Sequence, residues 1–93
     1  MILSFKDKRT AAVFAGRMPK GFPARIASVA RRKLTMLDRA ITLNDLKVPP
    51  NNHLEALTRD RVGEHSIRVN RQFRICFVWH DGHAYDVEIV DYH

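Results

Sequence analysis

The chain ends Asp91-Tyr92-His93, which brings a carboxylate, an aromatic ring and an imidazole together with the α-carboxylate. Those are the parts of a metal-free RNA cleavage: a base for the 2′-hydroxyl, an acid for the leaving oxygen and a ring on which a base can stack. His93 is the group whose ordinary pKa allows proton exchange near neutral pH. On composition alone the competing reading is a solvated polar tail, but the tripeptide directly follows a strong strand pattern, which should hold it near a sheet edge. Two arginines, Arg68 and Arg74, fall on the polar side of two neighbouring strand patterns. Planar guanidinium forks suit a phosphate and would stabilise charge developing on a phosphorane. The plainer alternative is a pair of solvated arginines matched with Glu88 or Asp86 across the strands.

Other chemistries find less support. His53, His65, His80, His83 and His93 lack helical His-x-x-x-His spacing and paired cysteines, so no metal site is assigned. His80 and His83 flank a turn and read as surface residues. Cys76 lies inside Ile75-Cys76-Phe77-Val78-Trp79, where a small buried hydrophobe is expected rather than a nucleophile. As a lone cysteine it forms no internal disulfide, so the fold needs no oxidising compartment. No P-loop, Gly-x-Gly-x-x-Gly or Gly-x-Ser-x-Gly is present, and no cofactor is implied.

The elements that must position these groups change period midway. Ile2 to Phe5 reads as a short strand, and Asp7 caps a helix running to about Ala15. After a segment rich in glycine and proline, Pro23 opens a second helix of about 18 residues. Its stripe of Ile26, Val29, Ala30, Leu34, Leu37 and Ile41 faces inward, while Arg25, Arg31, Arg32, Lys33 and Arg39 cover the other faces. Thr42 and Asp45 resemble a capping pair for a short turn before Pro49-Pro50. Beyond it the period is two: His53 to Leu57, His65 to Asn70, Phe73 to Trp79 and Ala84 to Asp91, the last two joined by Asp81-Gly82. Phe73, Ile75, Phe77 and Trp79 point toward the helices, and Arg74, Cys76, Val78 and His80 point away. In the last strand, Tyr85, Val87 and Ile89 alternate with Asp86 and Glu88. The order indicates an α+β fold, two N-terminal helices packed on one face of a twisted antiparallel sheet, with the opposite face available for function.

Composition sets the frame. Ninety-three residues suit one domain spanning 1–93, with 45% hydrophobic residues for one core. The formal charge is +6, unevenly spread: residues 1–47 hold 11 basic and 3 acidic side chains, and residues 48–93 hold 5 and 7. A basic excess favours a polyanionic partner. The start lacks a signal-peptide pattern and no apolar run reaches the ~18 residues a membrane span needs, so a soluble cytoplasmic protein with no membrane partner is expected.

The stretch Leu54 to Leu57, Arg61-Val62-Gly63, His65-Ser66-Ile67-Arg68-Val69-Asn70 and Phe73-Arg74-Ile75, closing in Val87-Glu88-Ile89-Val90-Asp91-Tyr92-His93, resembles the HigB toxins of the RelE/ParE superfamily of bacterial toxin–antitoxin systems. Ile2 to Lys6, Arg32-Lys33-Leu34 and Met36-Leu37-Asp38 fit as well. The resemblance implies a RelE-like fold and a toxin that cleaves mRNA in the ribosomal A site. It implies neutralisation by a HigA-type helix-turn-helix antitoxin, with operator DNA met only through the antitoxin complex. Arg74 carries over as a phosphate ligand, with Asp91, Tyr92 and His93 as the terminal catalytic group and Arg68 as a companion inferred from sheet geometry.

One position departs from the pattern. Where some members have a histidine after the leucine of the 54–57 strand, this chain has Glu55, with His53 two positions earlier on the same expected face. Glu55, Asp91 and His53 thus remain alternatives for the base. Thr58 stands where some members have lysine, with Arg59 beside it. Arg31, Arg32, Lys33 and Arg39, together with Arg59 and Arg61, are the expected RNA and ribosome contacts. A different function on the same fold would be ParE-like, poisoning a DNA topoisomerase by binding.

Overall fold

The computed structural model describes residues 1–91. Asp7 caps the first helix, α1 (Lys8–Phe14), its carboxylate accepting from the Thr10 N–H at 2.7 Å. Helix α2 (Ala24–Arg39) follows, with Pro23 at its N-cap. Four strands, β1 (Glu55–Ala56), β2 (Glu64–Arg68), β3 (Phe73–His80) and β4 (His83–Asp91), form an antiparallel sheet in sequence order. Both helices contact β4. The core joins Ile26, Ala30, Leu34 and Leu37 of α2 to Ile67, Ile75, Phe77, Val87 and Ile89 of the sheet. Burying these side chains is the main favourable term holding helices to sheet.

Several expected details change. Ile2 to Phe5 makes two isolated parallel bridges, Ile2 with Ala84 and Phe5 with Val87, rather than a strand. The cause is a bulge in β4: Asp86 has φ 52° and donates its N–H to the Ser4 hydroxyl at 2.8 Å, interrupting the ladder. The same bulge resets the alternation, so Ala84, not Tyr85, joins Val87 and Ile89 in the core. Ile41 is exposed, because α2 ends at Arg39 and its C-cap Ala40 turns extended, with ψ 134°, before the next turn could come inward. Lys33 is buried at 4% exposure rather than solvated. At 100° per residue it falls between Ile26 and Val29, at the edge of the inner stripe.

The segment between α2 and β2 is more folded than the strand pattern implies. Short 3-10 turns occupy Leu43–Lys47, Pro50–Asn52 and Arg59–Arg61, leaving only Glu55 and Ala56 in β1. Thr42 and Asp45 close a reciprocal capping box on the first turn. His53 caps the second in the left-handed region, φ 45°, so it leaves the strand alignment it was expected to share with Glu55. His83, expected at the surface, is half-buried with its Nδ1 enclosed.

Candidate active-site cleft

The sheet face turned away from the helices carries the polar side chains of β2 and β3. Arg68 stands directly across from Arg74, and Ser66 lies between Glu55 on β1 and Cys76 on β3. The face is not open along its length. Arg61, from the turn before β2, reaches Glu64 at 3.0 Å and Glu88 at 3.3 Å, spanning from β2 to β4 above the fully buried Cys76. Burial pushes the Cys76 thiol up to about 11, so at neutral pH it is a packed thiol rather than a thiolate.

Beside this strap a cleft of about 480 Å³ is lined by His53, Leu54, Glu55, Arg68, Asn70, Arg71 and Arg74. Arg74 is its fixed point, with 11% of its side chain exposed. Its Nε donates to Ser66 Oγ at 2.8 Å, and Nη2 donates to the carbonyls of His53 at 2.6 Å and Ser66 at 3.3 Å. Glu55 Oε1 lies 3.0 Å from the same Nη2, on a side chain 56% exposed. The left-handed turn at His53 is what aims its carbonyl at the guanidinium. A charged donor with several acceptors is held in orientation rather than merely attracted. Arg68 is more accessible, and its Nε donates to the Asn70 carbonyl at 3.1 Å. Asn70 Oδ1 in turn accepts from the N–H groups of Gln72 and Phe73, both at 2.8 Å, and this turn presents exposed Arg71 on the rim.

The other expected site residues are distributed differently. Asp91 ends β4 across from Phe73, so alternation sends it to the face opposite Arg74, where Gln72 Nε2 donates to it at 3.1 Å. Tyr92 and His93 lie outside the described residues. Arg31, Arg32 and Arg39 line a groove of about 670 Å³ along α2 with Ser28, Met36 and Asp45. Arg59 is exposed at its turn with φ 58°. Arg61 is occupied by its two glutamates. Lys33 donates to Asn52 Oδ1 in the interior, which corrects its expected place among the exposed RNA contacts. Burial, with Arg32 nearby, holds its ammonium pKa below the ordinary lysine value.

Sequence reasoning passed over Ser66, Asn52 and Arg71 as site components. Arg71 was legible as a turn residue, and Asn70 two positions before Gln72 is the local signal for an Asx turn. The holding role of Ser66 depends on strand register, which no local pattern specifies.

Two helices packed on a four-stranded antiparallel sheet, with a basic cleft on the sheet's other face, make a small α+β fold that is shared with known toxins. The toxin–antitoxin complex YoeB–YefM from Staphylococcus aureus contains a chain of the same fold, with a TM-score of 0.62 at 16% identity, covering 100% of this chain and 98% of that one. Residues 3–93 match the family described as RelE-like toxin of the type II toxin–antitoxin system HigB, and the chain belongs to that family. It is 40% identical over 85 residues to Toxin HigB-1 of Vibrio cholerae serotype O1, covering 90% of each chain. Over 93 residues it is 33% identical to a Proteus vulgaris protein named Endoribonuclease HigB, covering 100% of both.

Proposed function

We propose that this toxin is a ribosome-dependent endoribonuclease that cleaves mRNA in the A site without a metal ion, halting translation and growth. The observation that carries the reading is the Glu55–Arg74 contact of 3.0 Å at the cleft floor. It sets a carboxylate beside a guanidinium whose orientation is already fixed by Ser66 and the His53 carbonyl. Glu55 removes the proton from a 2′-hydroxyl, whose oxygen attacks the adjacent phosphorus. The bond to the 5′-oxygen breaks, His93 protonates that oxygen, and the products are a 2′,3′-cyclic phosphate and a 5′-hydroxyl. Arg74 and Arg68 take the non-bridging oxygens, Tyr92 stacks on a base, and Asp91 positions the terminal pair.

Arg31, Arg32, Arg39 and Arg59 supply contacts to ribosomal RNA, consistent with their exposure. Lys33 and Arg61 act instead on the fold around the cleft. As the toxin of a type II system, the chain is matched with an antitoxin; a HigA-type helix-turn-helix protein is the partner of this reading, and the antitoxin complex is the form that meets operator DNA. The site of action is the cytoplasm.

The test is cleavage of a defined message in a reconstituted translation system, with product ends identified chemically. Cleavage is expected only while ribosomes occupy the message, leaving 2′,3′-cyclic phosphate ends. Removing a positioned general base lowers such a rate by about 10²–10⁴-fold, and Glu55→Gln is expected within that range with its melting temperature preserved. DNA damage on expression with intact mRNA would instead establish the topoisomerase reading.

A further inference from the structure

A second cleft, of about 370 Å³, is lined by Val29, Arg32, Lys33, Asn51, Arg68, Val69, Asn70 and Arg71. It shares Arg68, Asn70 and Arg71 with the Glu55–Arg74 cleft, and Arg32 with the α2 groove. This cleft therefore adjoins the reaction cleft on one side and the α2 groove on another.

Its lining differs in kind from the reaction cleft. Three arginines line it, Lys33 adds its stem with the ammonium engaged by Asn52, and no described carboxylate contributes. Arg32 and Arg71 are exposed and make no ion pair among the described residues. Asn51 offers an amide donor and acceptor, Asn70 its amide N–H groups since its Oδ1 already accepts from Gln72 and Phe73, and two valines supply an apolar surface. The volume lies at the small end of the range for ligand sites, about 300–1,000 Å³. Guanidinium planes stack on unpaired bases, and asparagine amides read base edges. Arginine charge alone would fit any anion; adding amides and an apolar wall fits a nucleotide.

We propose that this second cleft is a nucleotide subsite, holding the base and phosphate of the RNA residue one step beyond the pair that flanks the cleaved bond. Arg71 and Arg32 grip its phosphate, and Asn51 and Asn70 contact its base. Arg68 faces both clefts and spans the two phosphates. This inference rests on the RNA-cleaving reading and specifies the course of the strand across the protein.

Non-cleavable 2′-O-methyl oligoribonucleotides of two and four nucleotides test it, titrated into the full chain while backbone amide resonances are followed. The tetramer is expected to bind at least tenfold tighter than the dimer, and only the tetramer shifts Arg32, Asn51 and Val69. In the Arg32→Ala/Arg71→Ala variant that length advantage should shrink below twofold, with melting temperature as a check on the fold. An unchanged advantage in the variant, or a tetramer that moves the Glu55 cleft and leaves Asn51 and Arg32 silent, overturns the subsite alone. If neither oligonucleotide moves either cleft in the wild type, the subsite is overturned, while the ribosome-dependent RNA-cleaving reading stands or falls on the translation assay.

Discussion

Arg74 touches Ser66, His53 and Glu55 at once, and those contacts separate its two duties. Its Nε and Nη2 hold the cleft wall together, and in the proposed reaction the rest of the fork takes a phosphate. Arg74→Ala should cost about 1–3 kcal/mol in chemical denaturation, because enclosed acceptors lose their donor. Arg74→Lys should keep more of that stability yet lose at least tenfold in cleavage, since one ammonium cannot satisfy Ser66, the His53 carbonyl and a phosphate in a planar fork. Equal cleavage by the lysine variant would remove Arg74 from phosphate binding. Cys76 makes a contrasting case: buried, with its thiol pushed up to about 11, it should resist alkylation at pH 8 until denaturant is added. Alternation alone places Arg68 and Arg74 on one face and identifies Cys76 as buried. It does not show that the His53 carbonyl holds Arg74, because that depends on a left-handed turn created after Pro50.

At the scale of elements, Asn52 does for the loop what Arg74 does for the sheet. Fully buried, it accepts from Lys33 of α2 and donates to the Leu46 carbonyl at 3.1 Å, fastening the turn that precedes His53 and Glu55. Asn52→Ala should therefore destabilise the protein by about 1–3 kcal/mol and lower cleavage through a displaced Glu55. Burial depresses the Lys33 pKa, so the unfolded chain holds that proton more tightly than the folded one. The charge penalty is present in full below the folded pKa and is relieved as pH rises from there toward the ordinary lysine value of about 10.4. Wild-type stability should climb relative to Lys33→Met across that alkaline window; parallel curves would contradict the buried charge. The β4 bulge supplies another test. Asp86→Val should cost about 1–2 kcal/mol in thermal or chemical denaturation, since a β-branched residue is strained at φ 52°, whereas Asp86→Gly should not. Helix α2, β3 and the Asp81-Gly82 hairpin were legible because each has a strong period or turn signal. So was the turn over Leu43–Lys47, through its Thr42 and Asp45 capping pair. The bulge and the turns at Pro50–Asn52 and Arg59–Arg61 were not, because tertiary hydrogen bonds such as Asp86 N–H to Ser4 and Asn52 to the Leu46 carbonyl shape that backbone.

Across the whole molecule, the basic first half and the mixed second half serve different parts of one surface. Residues 1–47 carry 11 basic and 3 acidic side chains, and α2 turns three of its arginines into an outer groove. The sheet supplies Glu55, Arg68 and Arg74; Arg71 is shared by the two clefts, and Arg32 by the second cleft and the α2 groove. No described helix is long and apolar enough to cross a membrane. Overall charge pointed toward a polyanion, and the order of residues in the second half narrowed that to RNA. Neither showed that Lys33 leaves the basic surface for the core, because its aliphatic stem and Asn52 make burial possible. The most direct test follows one defined mRNA on translating ribosomes, with 3′ ends mapped for wild type beside Glu55→Gln. Wild type should cut only ribosome-occupied message, leaving 2′,3′-cyclic phosphate ends, while the variant slows at least a hundredfold with an unchanged melting temperature. Equal cutting by the variant, or equal cutting of ribosome-free message, would contradict the account.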